Sequence, residues 1–282
     1  MAVAAAVVVA ALAGLCLLAP AYEAWWQVSG VETDLLGRFD PPSATHPLGT
    51  DDAGRDELAR LLHGGRVSLL VGVVSALGAS LLGTAVGAGA GYAGGRADAV
   101  AMRLTDLVIS LPALPLLIIL AALDLHKLGV PEAAIRDGSA AVWRIVLILI
   151  LLGWTGVARL VRAQTLALRE REFVEAARAT GAGTARILGR HIVPNALSPV
   201  IVATTLGGGR AILAESALSF LGVGIQPPAT SWGGMLNNAQ ELVNDAPLLA
   251  LWPGLLILVV VVCVNLLGDG LQAALDPRRS SP

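Results

Sequence analysis

Residues 246–268 read APLLALWPGLLILVVVVCVNLLG: 23 positions without a charge, with eight consecutive aliphatic side chains from Leu255 to Val262. At 1.5 Å of rise per residue, roughly 20 such residues in a helix cross the ~30 Å hydrocarbon layer of a bilayer. Peptide groups in lipid find no water to bond, so a single spanning segment of this kind is a helix. Working outward, five more apolar segments emerge. Residues 2–22 carry no charge, and Val67–Gly95 is a 29-residue uncharged run rich in glycine. Leu107–Leu123 is shorter and holds Pro112 and Pro115, while Ile145–Ala158 has only 14 uncharged residues. Arg144 and Arg159 at its ends can snorkel to the two interfaces and complete that span. Residues 196–222 form the sixth run, interrupted by Arg210 and Glu215. The sequence therefore predicts an all-α integral membrane protein with six transmembrane helices, 1–22 and about 67–92, 105–124, 142–161, 197–222 and 247–268.

Composition supports this. Hydrophobic residues make up 55% of the 282 and charged residues only 14%, against about a quarter in soluble domains. A formal charge of −2, from 19 basic and 21 acidic groups, gives no basic face for nucleic acid. Cys16 and Cys263 both lie within apolar runs, which argues against a disulfide scaffold or a cysteine metal site. An A-x-A-like triplet stands at Ala19-Pro20-Ala21, but no basic residue precedes Arg38. The first run is also longer than a signal-peptide core, so it reads as a retained helix.

Charge sets the expected orientation. Arg159, Arg162, Arg169, Arg171, Arg178, Arg186 and Arg190 crowd one connection, which the positive-inside rule places in the cytoplasm. Alternation puts the Arg96–Arg103 loop, the 271–282 tail with Arg278 and Arg279, and both termini on the same side. The segment 23–66, with eight acidic and four basic residues, then lies outside, as does Gly222–Pro247. Trp25 and Trp26 suit the interface, and Asp40-Pro41-Pro42 marks a turn. In the inner connection, 163–195, Glu170 and Glu172 precede the basic residues, in keeping with a helix dipole. Gly181 and Gly183 should break that helix, and Pro194-Asn195 should end a second short one before the chain returns to the bilayer.

The same connection carries a resemblance. Glu175-Ala176-Ala177-Arg178-Ala179-Thr180-Gly181, then Arg190-His191-Ile192-Val193-Pro194-Asn195, is similar to the EAA loop of bacterial ABC-importer permeases. The likeness is nearest to the second permease of dipeptide/oligopeptide/nickel importers, with Val193 in place of a usual leucine. Other blocks agree in order: His46-Pro47-Leu48-Gly49-Thr50-Asp51 with Gly54-Arg55-Asp56, Arg66-Val67-Ser68-Leu69, Gly91-Tyr92-Ala93-Gly94-Gly95, Ala217 to Gly224 with Ser231-Trp232-Gly233, and Gly268-Asp269-Gly270-Leu271 with Leu275-Asp276-Pro277-Arg278. Relatives usually begin with a short polar leader, whereas this sequence begins in the helix.

The resemblance implies a type I (MetI-like) ABC-importer permease fold with its core at 67–270, in a bacterial inner membrane. It implies a heterodimer with a sister permease, two ABC ATPase subunits below and an extracytoplasmic substrate-binding protein above, importing di- or oligopeptides. Nickel or another small solute is the alternative cargo, and an ion-coupled secondary transporter using Glu215 and Arg210 is the rival mechanism. ATP and Mg²⁺ would belong to the ATPase subunits, this chain holding no cofactor. Consistent with that, the glycine clusters lack the lysine and hydroxyl of a phosphate-binding loop, and Lys127 is the only lysine.

Within the family's coupling loop the residues of interest are Glu175, Ala176, Ala177, Gly181, His191, Pro194 and Asn195. Small side chains permit close docking, and Glu175 can pair with Arg171 or Arg178 to stiffen the helix. Arg210 and Glu215 each cost at least about 2.5–3.5 kcal/mol at mid-bilayer, so they should face protein or water. Five positions apart they diverge by about 140° around a helix, which argues against a direct pair. Relatives carry a glutamate at the Glu215 position but a small or uncharged residue in place of Arg210. The readings for both are a pathway charge or an anchor to the other permease. Gly72, Gly83, Gly87 and Gly91 lay a small-residue face along the second helix, suited to packing. His46, His63, His126 and His191 are scattered and read as hydrogen-bonding residues, not a metal cluster.

Overall fold

A computed structural model describes residues 1–127 and 129–275. Its helices are α1 (Ala2–Leu17), α2 (Ala19–Trp26), α3 (Glu57–Ala93), α4 (Gly95–Ser110), α5 (Ala113–Ala121), α6 (Glu132–Arg136), α7 (Ser139–Leu168), α8 (Glu172–Ala179), α9 (Thr184–Ile187), α10 (Val193–Phe220), α11 (Trp232–Ala239) and α12 (Leu248–Leu275). Four rods are long and apolar enough to cross a membrane: α3, α7, the continuous stretch 184–220 and α12. Two bent pairs, α1 with α2 at 50° and α4 with α5 at 86°, raise the number to six if each counts as one span. The fold is all-α and multi-pass.

The differences from the sequence reading have local causes. The second helix begins at Glu57, ten residues before the uncharged run, because Asp56 Oδ1 accepts the Ala59 N–H at 2.7 Å and caps it. Its 37 residues extend about 55 Å, well beyond a bilayer's hydrocarbon. The Arg96–Arg103 stretch is not a loop but lies within α4; positive φ at Gly94 and Gly95 turns the chain sharply there. The third predicted span breaks at Pro112, which cannot donate to the preceding turn and holds Leu111 extended at φ −78°, ψ 137°. Pro115, in the first turn of α5, causes no second break. Pro194-Asn195 does not terminate the inner helix either. A π-turn over Leu188–Ile192 carries α9 directly into α10. Pro194 sits in the first turn of α10, and Asn195 Nδ2 donates to the His191 carbonyl at 2.6 Å. The signature residues Asp276, Pro277 and Arg278, and Arg279 of the tail, lie outside the described residues.

The small-residue face of α3 meets α7. A Cβ on Gly83 would stand 2.5 Å from the Trp154 carbonyl oxygen, and one on Gly87 would meet that of Ala158. Only glycine lets the two backbones approach so closely. Val71, Ile145, Val146, Leu149 and Leu218 close the core between α3, α7 and α10. At the end of the bundle bearing the 163–195 loop, Arg162 forks onto Asp98 at 2.5 and 2.6 Å, tying α7 to α4. Arg169 Nη1 donates to the Gly91 carbonyl of α3 at 3.0 Å.

Candidate functional site

The E-A-A residues lie on α8. Glu172 and Glu175 occupy its first turn and Arg178 its last, both favourable to the helix dipole. It ends in a Schellman motif: Ala182 N donates to Ala177 O at 3.0 Å and Gly181 N to Arg178 O at 2.9 Å. Gly181 takes φ +81°, and a Cβ there would touch nothing within 4 Å. Its requirement is purely conformational. Val174 is fully buried against Ile187 and Ile192, with Tyr92, Leu168, Ala177 and Ala182 around them. This one apolar anchor fastens α8 to the rod 184–220. Glu172, Phe173, Glu175, Ala176 and Ala179 are exposed. The Glu175 ion pair expected from spacing does not form among the described residues. Arg178 instead lies 5.2 Å above the Tyr92 ring, a cation–π placement that draws it off the α8 surface. His191 packs beside Phe173, ring centroids 6.3 Å apart.

At the opposite end of α3 the H-P-L-G-T-D and G-R-D residues fold on themselves. Gly49 N bonds His46 O at 2.9 Å, closing a turn in which Pro47 presets φ. Thr50 and Asp56 form an antiparallel bridge. Asp51 is 1% exposed. Its carboxylate accepts the Ala53 and Arg55 amides, each at 2.9 Å, Arg55 Nε at 2.8 Å, and Arg60 Nη1. Asp56 caps α3 and also receives His46 Nδ1 at 2.9 Å and the Tyr22 hydroxyl at 3.3 Å. Gly54, at φ +73°, has the Asp34 carbonyl where a Cβ would stand.

The two intramembrane charges part company. Glu215 is fully enclosed within the chain. Ser68 Oγ donates to it at 3.1 Å and Ser219 Oγ at 2.7 Å. Ser68 in turn receives the Trp232 amide at 3.2 Å, and Trp232 Nε1 donates to Leu61 O at 2.9 Å. Two sequence blocks quoted separately above thus meet with Glu215 in one network joining α3, α10 and α11. Ser68, Ser219 and Trp232 were missed as partners, although a buried glutamate demands hydroxyl or amide donors and each block supplies one. Arg210 is exposed on α10 and forms no ion pair among the described residues. It lines a cavity of about 690 Å³ bounded by α3, α5, α7 and α10.

Known proteins are similar in sequence to this chain along nearly its whole length. A putative peptide permease of Brucella suis is 40% identical over 277 residues, covering 95% of this chain and 87% of the relative. The dipeptide transport system permease protein of Bacillus subtilis is 41% identical over 251 residues, 89% of this chain and 74% of its own. A glutathione transport system permease protein of Pectobacterium atrosepticum is 38% identical over 279 residues, 97% and 88% of the two chains. The family described as binding-protein-dependent transport system inner membrane component matches residues 83–281, from the glycine face of α3 through the EAA helix to the tail. With relatives this similar over this much of its length, the chain belongs to that family of ABC transporter permeases.

Proposed function

We propose that this chain is the permease subunit of an ATP-driven importer of short peptides, working beside a sister permease, two ATPase subunits and an extracytoplasmic binding protein. Each bent helix pair serves as one span, giving six, with the 163–195 loop and both termini in the cytoplasm. The observation that carries the reading is mechanical. Helix α8, exposed along Glu175 and Ala176, is bolted through Val174 to an unbroken rod of 37 residues, 184–220. A push on α8 by a closing ATPase dimer is thereby delivered, about 55 Å away, to the far end of a transmembrane helix. The importer's cargo follows from the relatives, two of which are named for peptides and a third for glutathione, itself a modified tripeptide.

The test is reconstitution of the full complex in vesicles with a labelled di- or tripeptide. Uptake should require ATP and the binding protein together; uptake driven by an ion gradient without ATP would refute the reading. Orientation is checked with single cysteines in a chain whose Cys16 and Cys263 are replaced by alanine. Gly183→Cys should resist an impermeant thiol reagent added outside intact cells, and Gln240→Cys should react. The opposite pattern would invert the topology.

A further inference from the structure

The 690 Å³ cavity holding Arg210 lies in the range of small-ligand sites, roughly 300–1,000 Å³. Most of its wall is aliphatic, with Leu117, Leu149 and Leu152 among the lining residues. Its polar groups are few and unequal. Arg159 is already engaged by Asp106 at 2.5 Å. Thr155 and Thr204 spend their hydroxyl protons on the Leu152 and Val200 carbonyls, Thr204 also reaching Ser80. Two donors are left over. One is the Arg210 guanidinium, which has no carboxylate among the described residues. The other is Ser75, only 2% exposed, whose hydroxyl has no partner.

These two donors stand at the same depth. A Cβ on Gly207 would rest 3.8 Å from that of Ala76, so the turn of α10 before Arg210 is level with the turn of α3 that holds Ser75. Arg210 is ten residues, about 15 Å, from the end of α10 at Phe220, near the middle of the 197–222 span predicted from the sequence. An arginine at that depth faces protein or a polar cavity, and an anion is a natural partner for it. Its planar fork matches a carboxylate in two parallel hydrogen bonds.

We propose that Arg210, supported by Ser75, receives the free C-terminal carboxylate of a peptide during its passage and so determines specificity within the membrane. This rests on the peptide-importer reading and adds a second selection step, after the binding protein. Peptides with a free carboxylate are passed on; those with a neutral C-terminus leave the guanidinium without its counter-ion and move slowly.

The experiment compares trialanine with trialanine amide, each saturating the binding protein, in vesicles containing the whole complex and ATP. The wild-type complex should move the acid about tenfold faster than the amide. Arg210→Leu should bring the two rates together, Arg210→Lys should restore most of the preference, and Ser75→Ala should reduce it by a smaller factor. An acid-to-amide ratio unchanged by Arg210→Leu overturns the proposal while leaving peptide import intact. Loss of the sister permease from the Arg210→Leu complex, with the remaining uptake unchanged in ratio, also overturns it and assigns Arg210 to assembly. Failure of the wild-type complex to move either peptide strikes the importer reading itself.

Discussion

The segments 23–66 and 163–195 lie at opposite ends of α3, and the chain finishes one and leaves the other open. In the first, Asp51 and Asp56 are each 1% exposed and both oxygens of each have a donor, while the equally buried Glu57 beside them has none among the described residues, and burial pushes its carboxyl up to about 8. In the second, Glu172 and Glu175 stand in solvent and one buried valine holds the helix down. Burying an ionised carboxylate is tolerable when its partners are in place, so the Asp51 and Asp56 networks make the first segment a fixed cap on the bundle. A helix with one apolar anchor and a bare small-residue face is complete only against something else. The contrast separates a family signature that is folded into the bundle from one that, in the function proposed above, addresses a partner.

The largest effect should come from cutting the cap. Asp51→Ala strands Arg60, itself 5% exposed, in a buried site without its counter-charge, a loss of about 3–5 kcal/mol. Thermal unfolding of the purified chain in detergent should show a sharply lowered midpoint. A midpoint unchanged would mean that the 23–66 signature is held by something other than this network.

A matched pair of glycines sharpens the comparison. Gly54 and Gly181 have nearly the same backbone angle, φ +73° and +81°, but Gly54 faces the Asp34 carbonyl and Gly181 faces open space. Gly181→Ala should cost only the left-handed strain, about 1–2 kcal/mol. Gly54→Ala adds a backbone collision to that strain and should cost clearly more in the same unfolding assay. Equal costs would show that the cap yields as easily as the inner loop. Gly181→Val, with a β-branched side chain, should also misdirect the chain after α8. Subunit stoichiometry or substrate-stimulated ATP turnover should then fall, while membrane insertion is retained.

Much of this was legible in the sequence because its physics is local or additive. Uncharged runs of the right length mark the spans, and Gly181 and Gly183 mark the inner break, where a Schellman cap is found. The shortfalls are of two kinds, local side-chain and backbone choices and long-range meetings. That α3 starts at Glu57 depends on Asp56 turning its side chain to the Ala59 amide. The run-on from α9 into α10 depends on a π-turn accommodating Pro194, which composition read as a stop. Spacing made Arg178 a partner for Glu175, but the ring of Tyr92, 86 residues away, competes successfully for it. The fate of Glu215 rested on Ser219, one helical turn away, and on Ser68 of α3, whose approach no periodicity reveals.

The smallest stability effect belongs to Glu175→Gln, and it probes the comparison most directly. The carboxylate is exposed and unpaired among the described residues, so the change removes only its favourable place in the first turn of α8, worth about 0.3–1 kcal/mol. Thermal unfolding of the isolated chain should therefore barely move. If α8 is unfinished until an ATPase covers it, the same substitution removes a charge from the exposed face of the docking helix. Coupling should then suffer out of proportion: substrate-stimulated ATP hydrolysis by the assembled complex should fall several-fold, and more at low than at high ionic strength, because salt screens exposed charges. Glu175→Asp keeps the charge and should retain most of the coupling. A glutamine variant that unfolds as readily as Asp51→Ala, yet stimulates ATP hydrolysis normally once assembled, would erase the distinction between the two ends of α3.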